Sequence, residues 1–151
     1  MNIVTEKSYE NVLISTDPKK VDFKFVHGFL TQSYWSTGIS ELRQRRAIDH
    51  SLNVSLFVDN QQAAYARVIT DRATFAYLCD VFVDTNHRGQ GISKMIMQFI
   101  LDLPELQGLK RIMLATKDAH GLYTQFGFEP LDEPGKYMQI NRPGIYASLK
   151  E

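Results

Sequence analysis

The order of apolar and polar residues changes its period several times along the chain. The apolar run Val12–Ser15 predicts a first short strand, which a turn-like segment at residues 16–18 closes. Apolar residues at helical spacing then predict a first helix that ends near Ser33. A second helix is predicted from its N-cap residue Ser40 through Ile48. Two helices therefore follow the first strand.

The middle of the chain is rich in β-branched and aromatic residues. They concentrate in three segments, 53–58, 63–70 and 74–84, and short links at residues 59–60 and 71–72 separate these segments. Links of this length are typical of hairpins. The pattern therefore predicts three antiparallel strands in succession.

The last part of the chain returns to a helical period. Apolar residues recur at helical spacing between residues 91 and 103, and residues 110–116 form the next strand-like run. Together with the strand before them, these segments predict a β-α-β unit. A short helix with Asp118 as its N-cap is predicted next, followed by a pair of strands at residues 128–131 and 137–140.

Length and charge limit the kinds of partner to expect. The chain has 151 residues, near the commonest size of a domain, and no repeat or Gly/Ser/Pro-rich linker divides it, so a single domain is predicted. Its 17 basic side chains balance 17 acidic ones. Because no overall field would attract nucleic acid or an anionic membrane, neither is expected as a partner.

The sequence predicts neither a membrane span nor a metal site. No apolar stretch approaches the roughly 20 residues of a membrane-spanning helix, and the first ten residues lack the order of a signal peptide. A cytoplasmic protein is therefore predicted. Cys79 is the only cysteine, and neither it nor the four scattered histidines form a metal-binding pattern. No metal is expected.

Residues 81–93 place a glycine-containing turn between a strand and an amphipathic helix. Glycine lets the backbone approach a ligand closely, and the N–H groups at a helix start attract phosphate. Arg88 adds a positive charge beside this helix start. The segment has neither the GxGxxG spacing of dinucleotide sites nor the Gly-Lys-Ser/Thr of a P-loop. It predicts a phosphate cradle, with an ordinary glycine-containing helix start as the alternative.

Two motifs in the chain resemble those of the GNAT superfamily of N-acetyltransferases. The motif that resembles its R/Q-x-x-G-x-G/A coenzyme A element is Arg88-Gly89-Gln90-Gly91-Ile92-Ser93, in which serine replaces the final small residue. Residues 119–128 resemble its A-x-x-L-Y-x-x-x-G-F element, although Thr116 stands where the family usually has asparagine. The predicted order of strands and helices fits the same superfamily from residue 12 to residue 140.

The resemblance implies an α/β (α+β) fold with a mixed, mostly antiparallel sheet of six to seven strands, splayed into a V and flanked by about four helices. It also implies acetyl-coenzyme A as co-substrate. The pantetheine arm would lie between the strand ending at Val83 and the strand at residues 110–116, held as an added strand is held. The implied coenzyme A site comprises Val81, Phe82, Val83, Arg88, Gly89, Gln90, Gly91, Ile92 and Ser93.

The resemblance implies one group that protonates the leaving thiolate and another that stabilises the oxyanion during acetyl transfer. Tyr123 matches the tyrosine that GNAT enzymes commonly use as general acid, and a phenol with a pKa of about 10 suits protonation of a leaving thiolate. A core tyrosine on the short helix is the alternative. For the oxyanion, the resemblance implies a backbone N–H near Phe82, exposed at a strand bulge.

Asp80 is an acidic residue within the strand expected to run beside the thioester. Strict alternation places its side chain on the face opposite Tyr77, Cys79 and Val81, so only a bulge would turn it inward. We therefore assign Asp80 one of two roles: a general base, acting directly or through ordered water, or a buried carboxylate that orders the loop. Cys79 stands where GNAT enzymes acting on small amines often carry an acid, and we expect a buried apolar role for it rather than a nucleophilic one.

The acceptor site in this superfamily is formed mainly by the first two helices and the loop between them. That loop contains the aromatic pair Tyr34 and Trp35, which together with Tyr77 are the predicted acceptor-binding residues. The resemblance implies N-acetylation of a small-molecule amine, such as an amino acid or a polyamine, by direct attack in a ternary complex. A non-catalytic acyl-coenzyme A sensor and a peptide or protein N-acetyltransferase stay open as alternatives. The protein is expected to be a monomer or a homodimer.

Overall fold

A six-stranded sheet whose strands lie in sequence order forms the centre of the structure. The structure is a computed structural model and describes residues 3–151. The strands are β1 (Glu6–Tyr9), β2 (Val12–Ser15), β3 (Leu52–Val58), β4 (Gln61–Thr70), β5 (Phe75–Val83) and β6 (Arg111–Leu114). Strands β1 to β5 pair antiparallel, and β6 pairs with β5 in parallel. The predicted mixed, mostly antiparallel α/β fold is confirmed.

Helices of four to ten residues accompany this sheet. They are α1 (Phe23–Leu30), α2 (Glu41–Asp49), α3 (Ile92–Leu101), α4 (His120–Thr124) and α5 (Ile145–Ser148). Single 3-10 turns lie at Pro18–Lys20, Thr85–His87, Pro104–Leu106 and Pro134–Lys136. The short α5 is the helix that the sequence pattern did not predict. Within residues 3–151, no helix combines the length and the apolar character that a membrane crossing requires.

Local sequence explains where α1 and α2 begin. The Asp22 carboxylate accepts a hydrogen bond from the Phe25 amide at 3.2 Å, and the Ser40 hydroxyl accepts one from the Arg43 amide at 3.1 Å. Each bond satisfies an amide that the first turn of a helix leaves unpaired. The predicted N-cap role of Ser40 is confirmed.

The N-cap role predicted for Asp118 is wrong. Ala119 occupies the N-cap position of α4, one residue later than predicted. The side chain that supports this helix start is Thr116, whose hydroxyl accepts a hydrogen bond from the Ala119 amide at 3.0 Å. Asp118 is exposed to solvent instead.

The two faces of the sheet pack against different helices. The larger core cluster lies against α3 and includes Val54, Ala66, Leu78, Ile96 and Ile100. The smaller cluster lies against α1 and α2 and comprises Val26, Leu30, Ile48, Tyr65 and Phe82. Burial of a large apolar side chain contributes roughly 1.5–3 kcal/mol relative to exposure, so both clusters hold helices firmly on the sheet.

Strand β1 is an element that the hydrophobic pattern missed. All four of its residues are exposed, so no apolar alternation marks them. The strand exists because its backbone pairs with β2, in a register that places Glu6 opposite Ser15 and Tyr9 opposite Val12. The hairpin turns at Glu10, whose φ of 51° lies in the left-handed region.

The strand pair predicted at residues 128–131 and 137–140 is wrong, because both segments are irregular. Met138 and Ile140 are 97% and 84% exposed, so the apolar residues that suggested a strand bury little surface. Pro130 also has no N–H to donate to a strand ladder. Among the described residues, β6 is therefore an edge of the sheet.

Strands β5 and β6 part after four paired positions. Their ladder runs from Phe75 opposite Arg111 to Leu78 opposite Leu114. β6 ends at Leu114, whereas β5 continues to Val83. The edge of β5 at residues 79–83 therefore faces a gap, which gives the sheet its predicted V shape.

Candidate active site

A cavity of about 500 Å³ opens where β5 and β6 part. Its walls come from β5, from residues 114–119, from the loop between α1 and α2, and from α4. The predicted site residues that line it are Tyr34, Trp35, Tyr77, Asp80, Val81, Phe82, Val83, Arg88 and Tyr123. The fold thus brings the predicted general acid, the predicted acceptor wall and the free edge of β5 to one cavity. Residues 89–93 continue from Arg88 and are outside its lining.

A β-bulge interrupts β5 in the wall of this cavity. Tyr65 lies opposite Phe82, and Arg67 lies opposite Cys79. Between these pairs β5 contributes two residues and β4 contributes one, which defines a bulge. Asp80 is in this interval and has a φ of 54°, a left-handed conformation that side chains other than glycine's seldom adopt. The bulge implied near Phe82 is therefore present.

This bulge reverses the alternation from which the orientation of Asp80 was predicted. Arg67 and Cys79 are directly opposite each other, so their side chains point to the same face of the sheet. Asp80 forms an ion pair with Arg67 and therefore lies on that face too. Strict alternation alone would place Asp80 on the face opposite Cys79 and Tyr77, and the bulge turns it to their face, which is the one exception that the prediction allowed. Val81 packs instead against the larger core on the α3 side.

Both oxygens of the Asp80 carboxylate accept hydrogen bonds from protein groups. Arg67 Nε donates to Oδ2 at 2.7 Å, and the indole Nε1 of Trp35 donates to Oδ1 at 2.9 Å. Another guanidinium nitrogen of Arg67 donates to the Ser51 hydroxyl at 3.1 Å. Asp80 is only 7% exposed, so Arg67 compensates its charge in place of water. Of the two roles predicted for Asp80, this geometry favours the buried carboxylate that orders the loop.

Tyr123 lies on α4 at the inner side of the cavity and is 8% exposed. Its ring packs edge to face with Phe128, with centroids 5.8 Å apart. Burial raises the pKa of the Tyr123 hydroxyl, and the neighbouring Tyr34 phenol adds to the increase. The hydroxyl therefore stays protonated at neutral pH, as a proton donor must.

Burial raises the pKa of two further side chains of β5, which therefore stay protonated at neutral pH. Burial raises the pKa of the Cys79 thiol to about 12, and the nearby Asp80 carboxylate adds to the increase against the opposing effect of Arg67. Burial likewise raises the pKa of the Tyr77 hydroxyl. Because a thiolate rather than a thiol is the reactive form, these surroundings suit the buried apolar role expected for Cys79.

The start of α3 has the geometry of a phosphate cradle. Gly91 occupies its N-cap position with a φ of 76°, Gly89 has a φ of 78°, and no side chain caps the helix. The first helical hydrogen bond runs from the Met95 amide to the Gly91 carbonyl at 3.1 Å. The amides of Ile92 and Ser93 are therefore left at the open helix end, where an anion fits.

Space around these glycines supports the same interpretation. A Cβ added to Gly89 or Gly91 would meet no protein atom within 4 Å, so the volume beside the turn is open to a ligand. Arg88 folds back towards the cavity, where its Nε donates to the Val83 carbonyl at 3.4 Å. Ile92 is 4% exposed and packs in the core, so only its backbone can face a ligand. Gln90 is exposed at the outer side of the turn.

Aromatic rings form the part of the cavity wall that is predicted to bind the acceptor. Tyr34 and Trp35 pack edge to face at 4.9 Å, and Trp35 also contacts Phe29 at 6.3 Å between ring centroids. Across the opening, Lys117 Nζ lies 5.5 Å from the centre of the Tyr34 ring. Tyr34 and Trp35 remain 63% and 40% exposed, so both can contact an acceptor.

Arg67 is the site residue that sequence reasoning missed. It lies within β4, in a run of otherwise buried and mostly apolar residues, and its side chain is 17% exposed. A single cation in such a run requires a buried partner, and Asp80 is the matching single anion in β5. That pairing is the signal that could have predicted the ion pair. Within residues 3–151, no cluster of three or more His, Cys, Asp or Glu side chains could hold a metal.

Comparison with protein families gives a match over most of the chain. The model of the "Acetyltransferase (GNAT) family" matches residues 22–128. This range begins at the N-cap of α1 and ends with the second motif, and it includes every residue that lines the cavity. The resemblance inferred from the two motifs is confirmed.

Solved structures with the same fold include proteins assigned as acetyltransferases. A Xanthomonas campestris pv. campestris protein assigned to the GNAT family is 48% identical, with a TM-score of 0.89 over 93% of this chain and 99% of that one. A Clostridium acetobutylicum protein assigned as an acetyltransferase, whose structure was determined with acetyl-CoA, is 16% identical, with a TM-score of 0.60 over 92% of this chain and 96% of that one. The second similarity concerns the fold alone.

A curated relative matches a shorter segment. A Gibberella zeae protein assigned as an acetyltransferase is 38% identical over 66 residues, which are 42% of this chain and 36% of that protein. The match therefore spans little more than a third of the relative's length.

Proposed function

Because this chain belongs to the GNAT family of acetyltransferases, we propose that it transfers the acetyl group of acetyl-coenzyme A to the amine of a small-molecule acceptor. The GNAT family uses acetyl-coenzyme A, which is therefore the proposed acetyl donor of this chain. The observation that carries the proposal is the cavity between the parting strands. Tyr123 and Trp35 both line it, so the assigned proton donor and the assigned acceptor wall share one cavity.

The coenzyme A half of the site fits an anionic, extended ligand. The free edge of β5 at residues 79–83 offers backbone groups with which a pantetheine arm can pair as an added strand does. The open amides at the start of α3 suit the pyrophosphate, and Arg88 supplies a cation close by. Gly89 and Gly91 leave the space that the phosphates need.

The chemistry assigned to these residues balances as an addition followed by an elimination. A neutral amine attacks the carbonyl carbon of the thioester, and the C=O electron pair moves to oxygen. A backbone N–H at the bulge, near Phe82, stabilises that oxyanion. The attacking nitrogen loses its extra proton to water. The oxyanion then collapses, the C–S bond breaks, and Tyr123 donates its proton to the departing sulfur, after which the Tyr123 phenolate regains a proton from water.

Proton removal from the acceptor is assigned to water rather than to Asp80. Each Asp80 oxygen already accepts a hydrogen bond, and protonation of the carboxylate would leave Arg67 without its counter-charge. Burial raises the pKa of the Tyr77 hydroxyl, so this group stays protonated and suits the orientation of a water molecule in the cavity. The amine must therefore enter uncharged or lose its proton on the way in.

The cavity suits a compact acceptor. Its volume of about 500 Å³ has to hold both the thioester end and the amine. The aromatic faces of Tyr34, Trp35 and Phe29 suit an acceptor with an apolar or cationic body. A small amine therefore fits better than a folded protein.

A specific observation favours a second function, a sensor that binds acyl-coenzyme A without turnover. Arg67 engages the Asp80 carboxylate, and Cys79 occupies the neighbouring position without an acid. In that function the cofactor site would be intact and no amine would be acetylated. Tyr123, which has no place in a pure sensor, favours the transferase.

The test is release of coenzyme A thiol from acetyl-coenzyme A in the presence of single amines. The panel comprises amino acids, polyamines, arylalkylamines and aminosugars, and each product is identified by mass spectrometry as the N-acetylated amine. Calorimetric titration of acetyl-coenzyme A runs in parallel. We expect turnover with one class of amine. Binding without turnover on any amine would favour the sensor, and absence of binding would overturn both functions.

A further inference from the structure

The Arg67–Asp80 ion pair connects two parts of the cavity wall to the neighbouring strand β4. Arg67 belongs to β4, Asp80 to the bulge in β5, and Trp35 to the loop between the first two helices. The carboxylate bonds to both other residues, at 2.7 Å and 2.9 Å. A contact across 45 sequence positions thus ties the acceptor loop to the strand that runs beside the thioester.

The bond holds Trp35 at the place where an acceptor would contact it. Trp35 is 40% exposed. Its ring packs edge to face with Tyr34 and at a tilt against Phe29. Its indole N–H is its only strong polar group, and Asp80 engages it. With this bond broken, ring packing alone would hold the indole.

The same carboxylate supports an unfavourable backbone conformation. Asp80 has a φ of 54° within a strand, a conformation that residues other than glycine seldom adopt and that persists only where the surroundings enforce it. Arg67 and Trp35 are the two donors that enforce it here. Arg67 is itself held by the Ser51 hydroxyl at 3.1 Å.

We propose that Asp80 and Arg67 are positioning residues that hold Trp35 in the acceptor wall and maintain the β5 bulge, and that Asp80 is not the general base. The proposal rests on the proposed function only in that the wall binds the amine. The hydrogen bond to Trp35 can be measured without turnover.

Trp35 is the only tryptophan in the chain, so its fluorescence reports the surroundings of this one indole. The variants are Asp80→Ala, which removes the carboxylate, and Asp80→Asn, which retains an oxygen acceptor for the indole without the charge. The exposed ion pair between Arg72 and Glu105 supplies the matched control, Arg72→Met. Emission maxima and acrylamide quenching are measured on protein shown to be folded by circular dichroism.

We expect Asp80→Ala to shift the Trp35 emission to longer wavelength and to increase its quenching, because the freed indole becomes more exposed to water. Asp80→Asn should lie between Asp80→Ala and the wild type, and Arg72→Met should match the wild type. Folded Asp80→Ala with wild-type emission and quenching would overturn the proposal, even if no acceptor is ever found.

Kinetics separate positioning from base catalysis. Loss of the hydrogen bond to Trp35 should raise the KM for the amine about fivefold in Asp80→Ala, with the pH profile of kcat keeping its shape. If Asp80 were the base, Asp80→Asn would lose kcat as severely as Asp80→Ala and the ascending limb of the profile would disappear. Either of those results would overturn the assignment.

A variant that keeps the carboxylate covers the case in which Asp80→Ala fails to fold. Trp35→Phe retains an aromatic ring, removes the N–H donor and reduces the ring from indole to phenyl. We expect its KM for the amine to rise about fivefold at an unchanged thermal midpoint, whereas an unchanged KM would contradict the proposal. Complete absence of acetyl transfer in the wild type would refute the proposed function alone, since the emission of Asp80→Asn would still report whether Trp35 is held.

Discussion

The rings of Phe29 and Phe82 stack face to face, with their centroids 3.9 Å apart and their planes 3° from parallel. Phe29 belongs to α1, and Phe82 follows the bulge in β5. The stack therefore places the first helix directly over the bulged strand. Because Phe29 also contacts Trp35, one side chain sets the distance between the strand and the acceptor wall.

Replacing Phe29 tests this arrangement. Phe29→Ala should lower the free energy of unfolding by about 2 kcal/mol, because a half-buried ring is lost from the smaller core cluster. Urea unfolding measures the change. Phe29→Leu, which keeps most of the apolar volume, should lose less than half as much. Equal losses in the two variants would show that the stack contributes little.

Replacing Gly91 tests the phosphate cradle. A side chain at Gly91 would meet no protein atom but would enter the space assigned to the pyrophosphate. Gly91→Val should weaken acetyl-coenzyme A binding at least tenfold, corresponding to about 1.4 kcal/mol or more, as measured by calorimetry.

Gly108 provides a matched control for the Gly91 variant. Its φ of 79° and its open surroundings are close to those of Gly91, but it lies in the loop before β6 and not at the start of α3. Gly108→Val should therefore show a similar loss of thermal stability and no change in affinity. Intact affinity in folded Gly91→Val would refute the cradle.

Replacing Tyr123 tests the general acid. Tyr123→Phe should leave acetyl-coenzyme A affinity unchanged and lower kcat by about a hundredfold, because the leaving thiolate loses its proton donor. Its control, Tyr9→Phe, changes an exposed tyrosine of β1. A kcat equal to that of the wild type would assign Tyr123 to the core alone.

The pH dependence of kcat follows from the environment of Tyr123. Burial raises the pKa of its hydroxyl, so the proton donor is present throughout the neutral range and is lost only as the pH rises above the ordinary tyrosine value of about 10. We expect a rate that falls at high pH in the wild type and does not fall in Tyr123→Phe. A descending limb retained by the variant would belong to another group.

Asp71, in the turn between β4 and β5, should make the free energy of unfolding depend on pH. Bonds donated by the Thr74 hydroxyl and by the amides of Thr74, Ala73 and Phe75 hold the pKa of Asp71 well below its ordinary value. Because the pKa of Asp71 is lower in the folded state, its contribution to the free energy of unfolding is complete above the unfolded pKa of about 4. That contribution is lost as the pH falls below this value. Asp71→Asn should thus be less stable than the wild type at pH 7, with the difference in thermal midpoint shrinking below pH 4.

Cys79 should react slowly in the folded protein. Burial raises its pKa from an ordinary value of 9.0 to about 12, so the thiolate fraction at pH 8 is far lower than in an unfolded chain. As the only cysteine, it allows alkylation by iodoacetamide to be followed without ambiguity. Equal rates in native and urea-unfolded protein would show that the thiol is not in this environment.

Features that depend on neighbours in sequence could be predicted from the sequence. Ser40 caps α2 because its hydroxyl reaches the amide three residues later, and the Asp59-Asn60 link turns because both residues tolerate a positive φ. The same applies to the glycine turn before α3. The two family motifs are also contiguous segments, and with them the sequence predicted the fold and the coenzyme A cradle.

Features that depend on distant partners could not be predicted in this way. β1 has no buried residue, so only pairing with β2 defines it. The apolar residues Met138 and Ile140 resemble a strand in composition, but nothing in the structure pairs with them or covers them. The periodicity of a short segment does not contain information about its partner.

The orientation of Asp80 shows the limit most clearly. The sequence determined that an acid lies in the strand beside the cavity, and period-two alternation then assigned it to the wrong face. Only the tertiary structure decided the face. In the bulge, two residues of β5 lie opposite one residue of β4, so the bulge depends on how the two strands pair. The ion pair with Arg67 then stabilises the backbone conformation that the bulge imposes on Asp80. Side-chain alternation is a property of one strand, whereas the register between two strands is a property of the folded sheet.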